Sequence, residues 1–387
     1  MNRSSTKCGS VVGGKMRPLR VEVPFASALP VRLGPPCRPL IASFALLAGL
    51  PIACSVAAFS QNSEAKAQCW SRSALSFTPG EQFIRKRSRA AFISPPKEES
   101  SAGEPISTGQ VGVVRRVDLP AGAEKMIALT FDLCEQPDEV AGYQGDIVDL
   151  LRAEKARATF FAGGKWLLTH KLRAEQLMSD PLFEVANHTW EHRDLRLTRA
   201  LILQGEIRFA QLAYATLRKD LAAKECVRPG ENRPATERVP MQMTLFRFPF
   251  GACDARSLEA VAAAGLTAIQ WDISSGDPSP GQAAAIMARD VLRRAQSGSI
   301  VLFHANGRGW HTAAALREIV RGLRVQGYRL VTVSELLQAG RPVVLKSCYD
   351  VRPGDTNRYD RLAQRLEERY KRLRFRKNIG EPNQGHE

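Results

Sequence analysis

The chain has 387 residues, a formal net charge of +16 and a pI of about 9.8. That length holds one large domain with extensions or two modest ones, and the charge suits an anionic surface such as membrane lipid, acidic cell-wall polymer or nucleic acid. Zinc-finger spacings, an aromatic-rich RNP-like strand and basic heptads are all missing from the sequence, so no nucleic acid is expected as a partner.

Residues 1–68 read as a targeting segment. Arg3, Lys7, Lys15, Arg17, Arg20, Arg32 and Arg38 precede an apolar run from Leu40 to Phe59, with small residues at Ala57-Ala58 and Ala65-Lys66-Ala67. This is the order of a secretory signal. The run is also of bilayer-spanning length and fits an uncleaved anchor, although Pro51 interrupts a straight helix. Either way the protein is expected to be exported: periplasmic, secreted or anchored at the membrane. Residues 69–124 are rich in Ser, Pro, Gly and charge, as in Ser94-Pro95-Pro96-Lys97-Glu98-Glu99, and read as a flexible linker.

From Met126 onward short apolar runs alternate with helical patterns. The runs predict strands at 126–131, 158–162, 183–186, 245–249, 268–273, 300–304 and 329–333. Helices are expected near 140–154, 168–178, 199–224, 254–264, 282–297 and 311–326. Strands this apolar fit a parallel sheet buried on both faces, and the alternation argues α/β. Neither a Gly-x-Gly-x-x-Gly turn nor a phosphate loop follows the first strand. Instead Asp132, His188, Arg247, Asp272 with Asp277, and His304 fall at strand C-terminal ends, which is how barrel enzymes assemble a site. Seven parallel strands across 125–340 predict a distorted or incomplete (β/α) barrel. In the basic tail, 341–387, Tyr359, Leu362, Leu366, Tyr370 and Leu373 recur at helical spacing. They read as a helix packed on the barrel, with a membrane- or glycan-binding arm as the alternative.

The chain holds six histidines, and two of them sit four residues apart in His188-Thr189-Trp190-Glu191-His192. A helix or a tight turn would aim both imidazoles at one point, and imidazole is the commonest protein ligand for zinc and similar metals. No CxxC occurs among the eight cysteines, which argues against a thiolate zinc site.

Thr130-Phe131-Asp132, His188 to His192, Arg247-Phe248-Pro249-Phe250-Gly251, Trp271-Asp272 through Asp277, and Leu302-Phe303-His304 occur in that order. Together they resemble the five motifs of the polysaccharide deacetylases, the carbohydrate esterase family 4 or NodB-homology proteins, over about 126 to 337. The resemblance implies a metal-dependent N-deacetylase on a distorted barrel, acting on N-acetylated sugars. A divalent metal lowers the pKa of water and polarises the amide carbonyl. By the same resemblance His188 and His192 match the metal ligands and Asp132 the catalytic base. Arg247 matches the residue that orients that base and keeps it ionised. The backbone N–H near Phe250 would hold the oxyanion, and His304 would protonate the departing amine with Asp277, or alternatively Asp272, as its carboxylate partner.

One departure stands out. The family's first motif reads Thr-Phe-Asp-Asp-Gly-Pro, and its second aspartate is the third metal ligand. Here Leu133-Cys134-Glu135 follows Asp132, and leucine ligates nothing. Either Glu135, Asp138 or Glu139 reaches in, or two histidines hold the metal with more water; Glu135 is the expected substitute. Cys134 and Cys253 each closely follow a motif strand, so a disulfide across the rim is expected, against two buried thiols. Trp190 and Trp310 are candidate faces for sugar stacking. The expected metal is zinc, with cobalt, nickel or manganese compatible. Peptidoglycan is the leading substrate, before chitin-like oligomers and exopolysaccharide, and contact with anionic membrane or cell wall is expected. Hydrolysis of another non-peptide C–N bond and a non-catalytic glycan-binding role are the alternatives.

Overall fold

The computed structural model describes residues 69–86, 93–97, 109–224, 237 and 239–378; the expected targeting segment, 1–68, lies outside them. The strands are β1 (Arg85–Lys86), β2 (Val113–Asp118), β3 (Met126–Leu133), β4 (Glu139–Val140), β5 (Ala158–Ala162) and β6 (Phe183–Asn187). They continue with β7 (Leu245–Phe246), β8 (Thr267–Ile269), β9 (Ile273–Ser274), β10 (Ile300–His304), β11 (Arg329–Val331) and β12 (Arg341–Leu345). One sheet runs β12-β2-β8-β7-β6-β5-β3-β10-β9, with β11 beside the start of β3. All its neighbours pair in parallel except β12 with β2. Among the described residues no helix is long and apolar enough to cross a membrane.

The two-residue period of the strands divides the interior into layers. Ile127, Leu129, Phe131 and Leu133 of β3, Phe160 of β5 and Phe303 of β10 belong to the outer core under the helices. Phe131 stacks there against Phe160 and Phe303, each at 5.3 Å between ring centroids. The intervening residues, Ala128, Phe161, Ile300 and Leu302, pack with Val114, Leu245, Ile269 and Trp271 inside the curled sheet. Helices such as Ala200–Ala222, Ala284–Arg294 and Thr312–Val325 fill the crossovers. The architecture is a distorted (β/α) barrel, as the strand pattern predicts.

Three strand ends fall short of expectation for identifiable reasons. β7 stops before Pro249, which opens a 3-10 turn through Gly251; proline has no N–H to continue a ladder. β11 stops because Thr332 caps the helix Val333–Ala339, with reciprocal Thr332 and Glu335 bonds. The run 268–273 breaks in two because its backbone changes neighbours: Gln270 N–H donates to Val114 O at 2.8 Å, then Asp272 N–H to Ile300 O at 3.2 Å. That switch begins to close the barrel, and an isolated bridge between Arg116 and Ser299 completes it. Val117 N–H also donates to Gly298 O at 2.9 Å.

The expected linker and tail are in part folded onto the barrel. β2, inside 69–124, is a strand of the main sheet because Val113, Val114 and Val117 are buried in it. Residues 69–86 lie against the barrel through Arg173, which donates to Ala74 O, Ser76 O and the Thr78 hydroxyl, and β1 pairs with β4. In the tail, β12 adds an antiparallel strand beside β2. The helix Asp360–Asn378 packs on the barrel with Ala363, Leu366 and Tyr370 buried.

Gly298 sits at the closure with φ of +89°, and a Cβ there would lie inside the Val117 carbonyl. Gly298→Ala is therefore expected to cost more than the ~1–2 kcal/mol of left-handed strain alone. The measurement is a lowered denaturation midpoint at unchanged m-value; an unmoved midpoint would show that closure does not depend on the glycine.

Candidate active site

The interior face of β3 runs Ala128, Thr130, Asp132, and at its C-terminal end the carboxylate of Asp132 is almost fully buried. Arg247, one residue past β7 and with no exposed surface, donates from Nη1 to Asp132 Oδ1 at 2.8 Å. Its Nε and Nη2 donate to Ile269 O and Gln270 O at 3.3 and 3.2 Å. The guanidinium lies 3.9 Å from the Phe161 ring centroid. Burial alone would raise the Asp132 carboxyl; the charge of Arg247, aided by its hydrogen bond, offsets this and holds it below its usual range.

The stretch from His188 to His192 is an irregular tight turn rather than a helix. Thr189 and His192 take positive φ, 67° and 59°, a conformation that non-glycine residues hold only when the surroundings fix it. Asn187 Oδ1 accepts from Thr189 N–H at 2.9 Å, and Thr189 Oγ1 accepts from His192 N–H at 3.1 Å. The turn sets the two imidazoles 5.0 Å apart at an interplanar angle of 69°. His188 Nδ1 meets Arg247 O at 2.9 Å, while Nε2 lies 3.5 Å from Asp132 Oδ2. His188 Nε2 and His192 Nδ1 are buried atoms without a hydrogen-bond partner. Burial lowers both histidines, keeping them neutral, which is the state that ligates metal. The pair fits a divalent cation on these grounds.

His304 ends β10, in register with Asp132 on β3. Its Nδ1 lies 2.9 Å from Asp277 Oδ1, and its own N–H donates to Asp277 Oδ2 at 2.7 Å. Thr312 Oγ1 donates to the same oxygen at 2.8 Å. Burial would lower His304, but the charge and hydrogen bond of Asp277 outweigh it and raise the imidazole above its ordinary value. Asp272 is not the partner: its oxygens accept from Ser299 Oγ at 2.7 Å and Ile300 N–H at 2.8 Å, on the closing strand.

The expected third ligand is corrected. Glu135 is fully buried and turned away, accepting from Ala141 N–H at 2.8 Å and Thr169 Oγ1 at 2.9 Å, with Lys165 Nζ at 3.5 Å. Burial pushes its carboxyl up to about 7. Asp138 pairs with Arg369, and Glu139 takes both its oxygens to Arg308. Leu133 is in the outer core. Cys134 comes to the histidines instead: its Sγ and one nitrogen of each of His188 and His192 all lie within 4.8 Å of one another. Asn306 Nδ2 donates to Cys134 O at 2.7 Å and to Sγ at 3.1 Å, and burial pushes the thiol up to about 12.

The Cys134–Cys253 disulfide is likewise corrected. Cys134 is a free buried thiol. Cys253 bonds to Cys348, 95 residues on, among the side chains of another core cluster that also takes in Leu345. The absence of CxxC said nothing about Cys134, because its neighbours here are histidines. Of the two tryptophans, Trp190 is buried, 6.4 Å from Phe209 between ring centroids, so it offers no face to a sugar. Trp310 is 49% exposed, and its N–H donates to Asp277 O at 2.9 Å.

The tail builds part of the rim. Tyr370 donates its hydroxyl to Glu191 O at 2.8 Å, and Arg193 is held by Glu367 at 2.7 Å. Phe250, with φ of 59°, sits between the His192 ring at 4.6 Å and the Tyr359 ring at 6.0 Å. Cys134, Asn306, Thr312 and Tyr359 were missed as site residues by sequence reasoning. For Cys134 and Asn306 a signal existed, since each lies two residues beyond a motif residue, Asp132 and His304.

Residues 120–269 match the model of the family Polysaccharide deacetylase. The peptidoglycan-N-acetylglucosamine deacetylase of Bacillus cereus is 32% identical over 220 residues, 56% of this chain and 89% of that protein. The corresponding enzyme of Listeria monocytogenes is 27% identical over 57% of this chain, which spans only 41% of its length. The chitooligosaccharide deacetylase of Azorhizobium caulinodans is 25% identical over 54% of this chain and 92% of its own. The structure of peptidoglycan deacetylase PdaC from Bacillus subtilis aligns with a TM-score of 0.44 at 25% identity, over 56% of this chain and 91% of that one. The chain belongs to the polysaccharide deacetylase family, carbohydrate esterase family 4.

Proposed function

We propose that this protein is an exported, metal-dependent hydrolase that removes N-acetyl groups from N-acetylglucosamine-containing polysaccharide, with peptidoglycan as the leading substrate. One observation carries the reading: an ionised carboxylate, Asp132, and a protonatable imidazole, His304, stand on neighbouring strands in register, each locked by its own partner. Glycan binding alone has no use for a base and an acid so placed. The names of the relatives support the substrate class, and a net charge of +16 suits an acidic wall polymer. The Cys253–Cys348 disulfide supports an oxidising compartment.

The reaction attaches water oxygen to the amide carbon and breaks the C–N bond, giving acetate and an amine. A divalent metal held by His188 and His192 would acidify water and polarise the carbonyl. Asp132 Oδ2 takes the proton of the attacking water, while Arg247 on Oδ1 keeps the carboxylate charged and aimed. The backbone N–H of Phe250, turned by its left-handed φ, donates to the oxygen that becomes negative. His304 passes its proton to the leaving nitrogen, and Asp277, fixed by Thr312, holds the imidazole in place. Trp310 offers the exposed face on which a sugar ring stacks.

Acetate release from N-acetylglucosamine oligomers and from peptidoglycan tests this. Release is expected to stop on chelation, to return with zinc or cobalt, and to fall at least ~100-fold in Asp132→Asn. No release with any divalent metal would overturn the reading. The pH profile tests the acid. His304 must be protonated to act, and Asp277 raises its pKa, so Asp277→Asn is expected to move the alkaline limb to lower pH while leaving the acidic limb in place. An unmoved alkaline limb would remove His304 from the role.

A further inference from the structure

We propose that Cys134 Sγ is the third protein ligand of the metal held by His188 and His192, in the position that a carboxylate fills in the family. This rests on the metal-dependent reading above and names the donor that Leu133 does not supply.

The placement follows from the backbone. Side chains along β3 alternate, so Leu133 joins the outer core while Asp132 faces the barrel interior, and Cys134, the first residue past the strand, comes to the histidines. The donor atoms of Cys134, His188 and His192 lie within 4.8 Å of one another. Ligands about 2.0 to 2.3 Å from one tetrahedral zinc ion sit nearly that close, roughly 3.5 Å apart, so the site needs only a small contraction.

The histidines point to a ligand independently of the cysteine. His188 is 1% exposed, and its Nδ1 is engaged by Arg247 O, which places the ring proton there and leaves Nε2 bare. Nε2 has no hydrogen-bond partner, and neither has His192 Nδ1; buried polar atoms rarely go unmatched unless something binds them. Asn306, buried on the far side, directs one N–H onto Cys134 Sγ, as outer-shell donors do to a ligating sulfur. The nearby carboxylates are committed elsewhere: Asp132 to Arg247, Glu135 to Thr169 and Ala141, Asp138 to Arg369, Glu139 to Arg308.

On binding, the Cys134 S–H proton leaves to solvent and a sulfur–metal bond forms, with no change of oxidation state. Two imidazoles, one thiolate and an open fourth position form a catalytic-zinc donor set. The thiolate is softer than a carboxylate and shifts preference toward zinc, cobalt and cadmium and away from manganese and magnesium.

The test is cobalt(II) titration of the full chain after metal removal, followed by absorption. Wild type is expected to show a sulfur-to-cobalt charge-transfer band in the near ultraviolet, together with visible d–d bands. Cys134→Asp and Cys134→Ser are expected to lose the charge-transfer band, with Asp keeping the d–d bands and Ser binding at least ~10-fold more weakly. Manganese is expected to compete better in Cys134→Asp than in wild type, and circular dichroism confirms that each variant folds. Cobalt bound to wild type without the charge-transfer band, or with a band that survives both substitutions, would overturn ligation by Cys134 and leave the metal-dependent reading standing. Folded wild type that binds neither cobalt nor zinc would overturn both.

Discussion

A guanidinium with no solvent exposure sits at the bottom of the site, and the contacts of its residue reach four other strands or strand ends. Arg247 holds Asp132 of β3 through Nη1 and, through Nε and Nη2, the carbonyls of Ile269, the last residue of β8, and of Gln270. Its backbone oxygen holds His188, and its N–H donates to Asn187 O of β6. The ring of Phe161, on β5, lies against its face. A charge in that position would be costly unless paired and fully hydrogen-bonded, and here the pairing is also the chemistry. The residue that holds the Asp132 carboxylate is also the residue whose carbonyl orients His188. Removing the Arg247 side chain would therefore strand a buried carboxylate, while the backbone carbonyl that holds His188 would remain.

The barrel was readable because its strands are buried on both faces and leave long apolar runs, and because five polar motifs sit at one end of them. What escaped was set by contacts that no local pattern encodes. Val113–Asp118 carries two arginines at its centre and follows a Gly- and Ser-rich stretch, so its membership in the sheet depends on β8 and β12 being there to pair with it. Cys253 and Cys348 are 95 residues apart, and their meeting depends on how the tail folds back. Glu135 looked available as a ligand because sequence gives no direction to a loop carboxylate. The buried Lys165 behind the loop, which also bonds Glu139 O at 2.9 Å, decides that direction. Cys134 escaped as well: the sequence gives no sign that it stays a free thiol beside the histidines rather than pairing with Cys253.

The tail changes how the site is understood as a structure. The disulfide anchors the chain at Cys348, Arg115 clasps Tyr349 O and Asp350 O at 2.6 and 2.9 Å, and Asp355 accepts three backbone N–H groups of the turn before it. From this base the helix from Asp360 reaches across the histidine turn, where Glu367 and Tyr370 hold Arg193 and Glu191. Two left-handed residues in that turn need such external support, since nothing in their own conformation favours the geometry. The basic tail is thus a clamp on the turn from His188 to His192 as well as a carrier of charge.

The vacancy at Leu133 and the presence of Cys134 are then two sides of one constraint. In the proposed ligation a thiolate would carry the same single negative charge as the family's carboxylate, so the electrostatic balance among Asp132, Arg247, His304 and Asp277 would not need to be rebuilt around it. What must change is reach and register. The family's aspartate follows the base directly, whereas Cys134 lies one residue further along, beyond the end of β3, and needs its loop held close. Three features hold it: β1 paired with β4, Lys165 Nζ donating to Gln136 O and Glu139 O, and Asn306 on the cysteine itself. On the proposed ligation the buried Glu135 network has a role without touching metal: it helps to fix the loop that begins at Cys134.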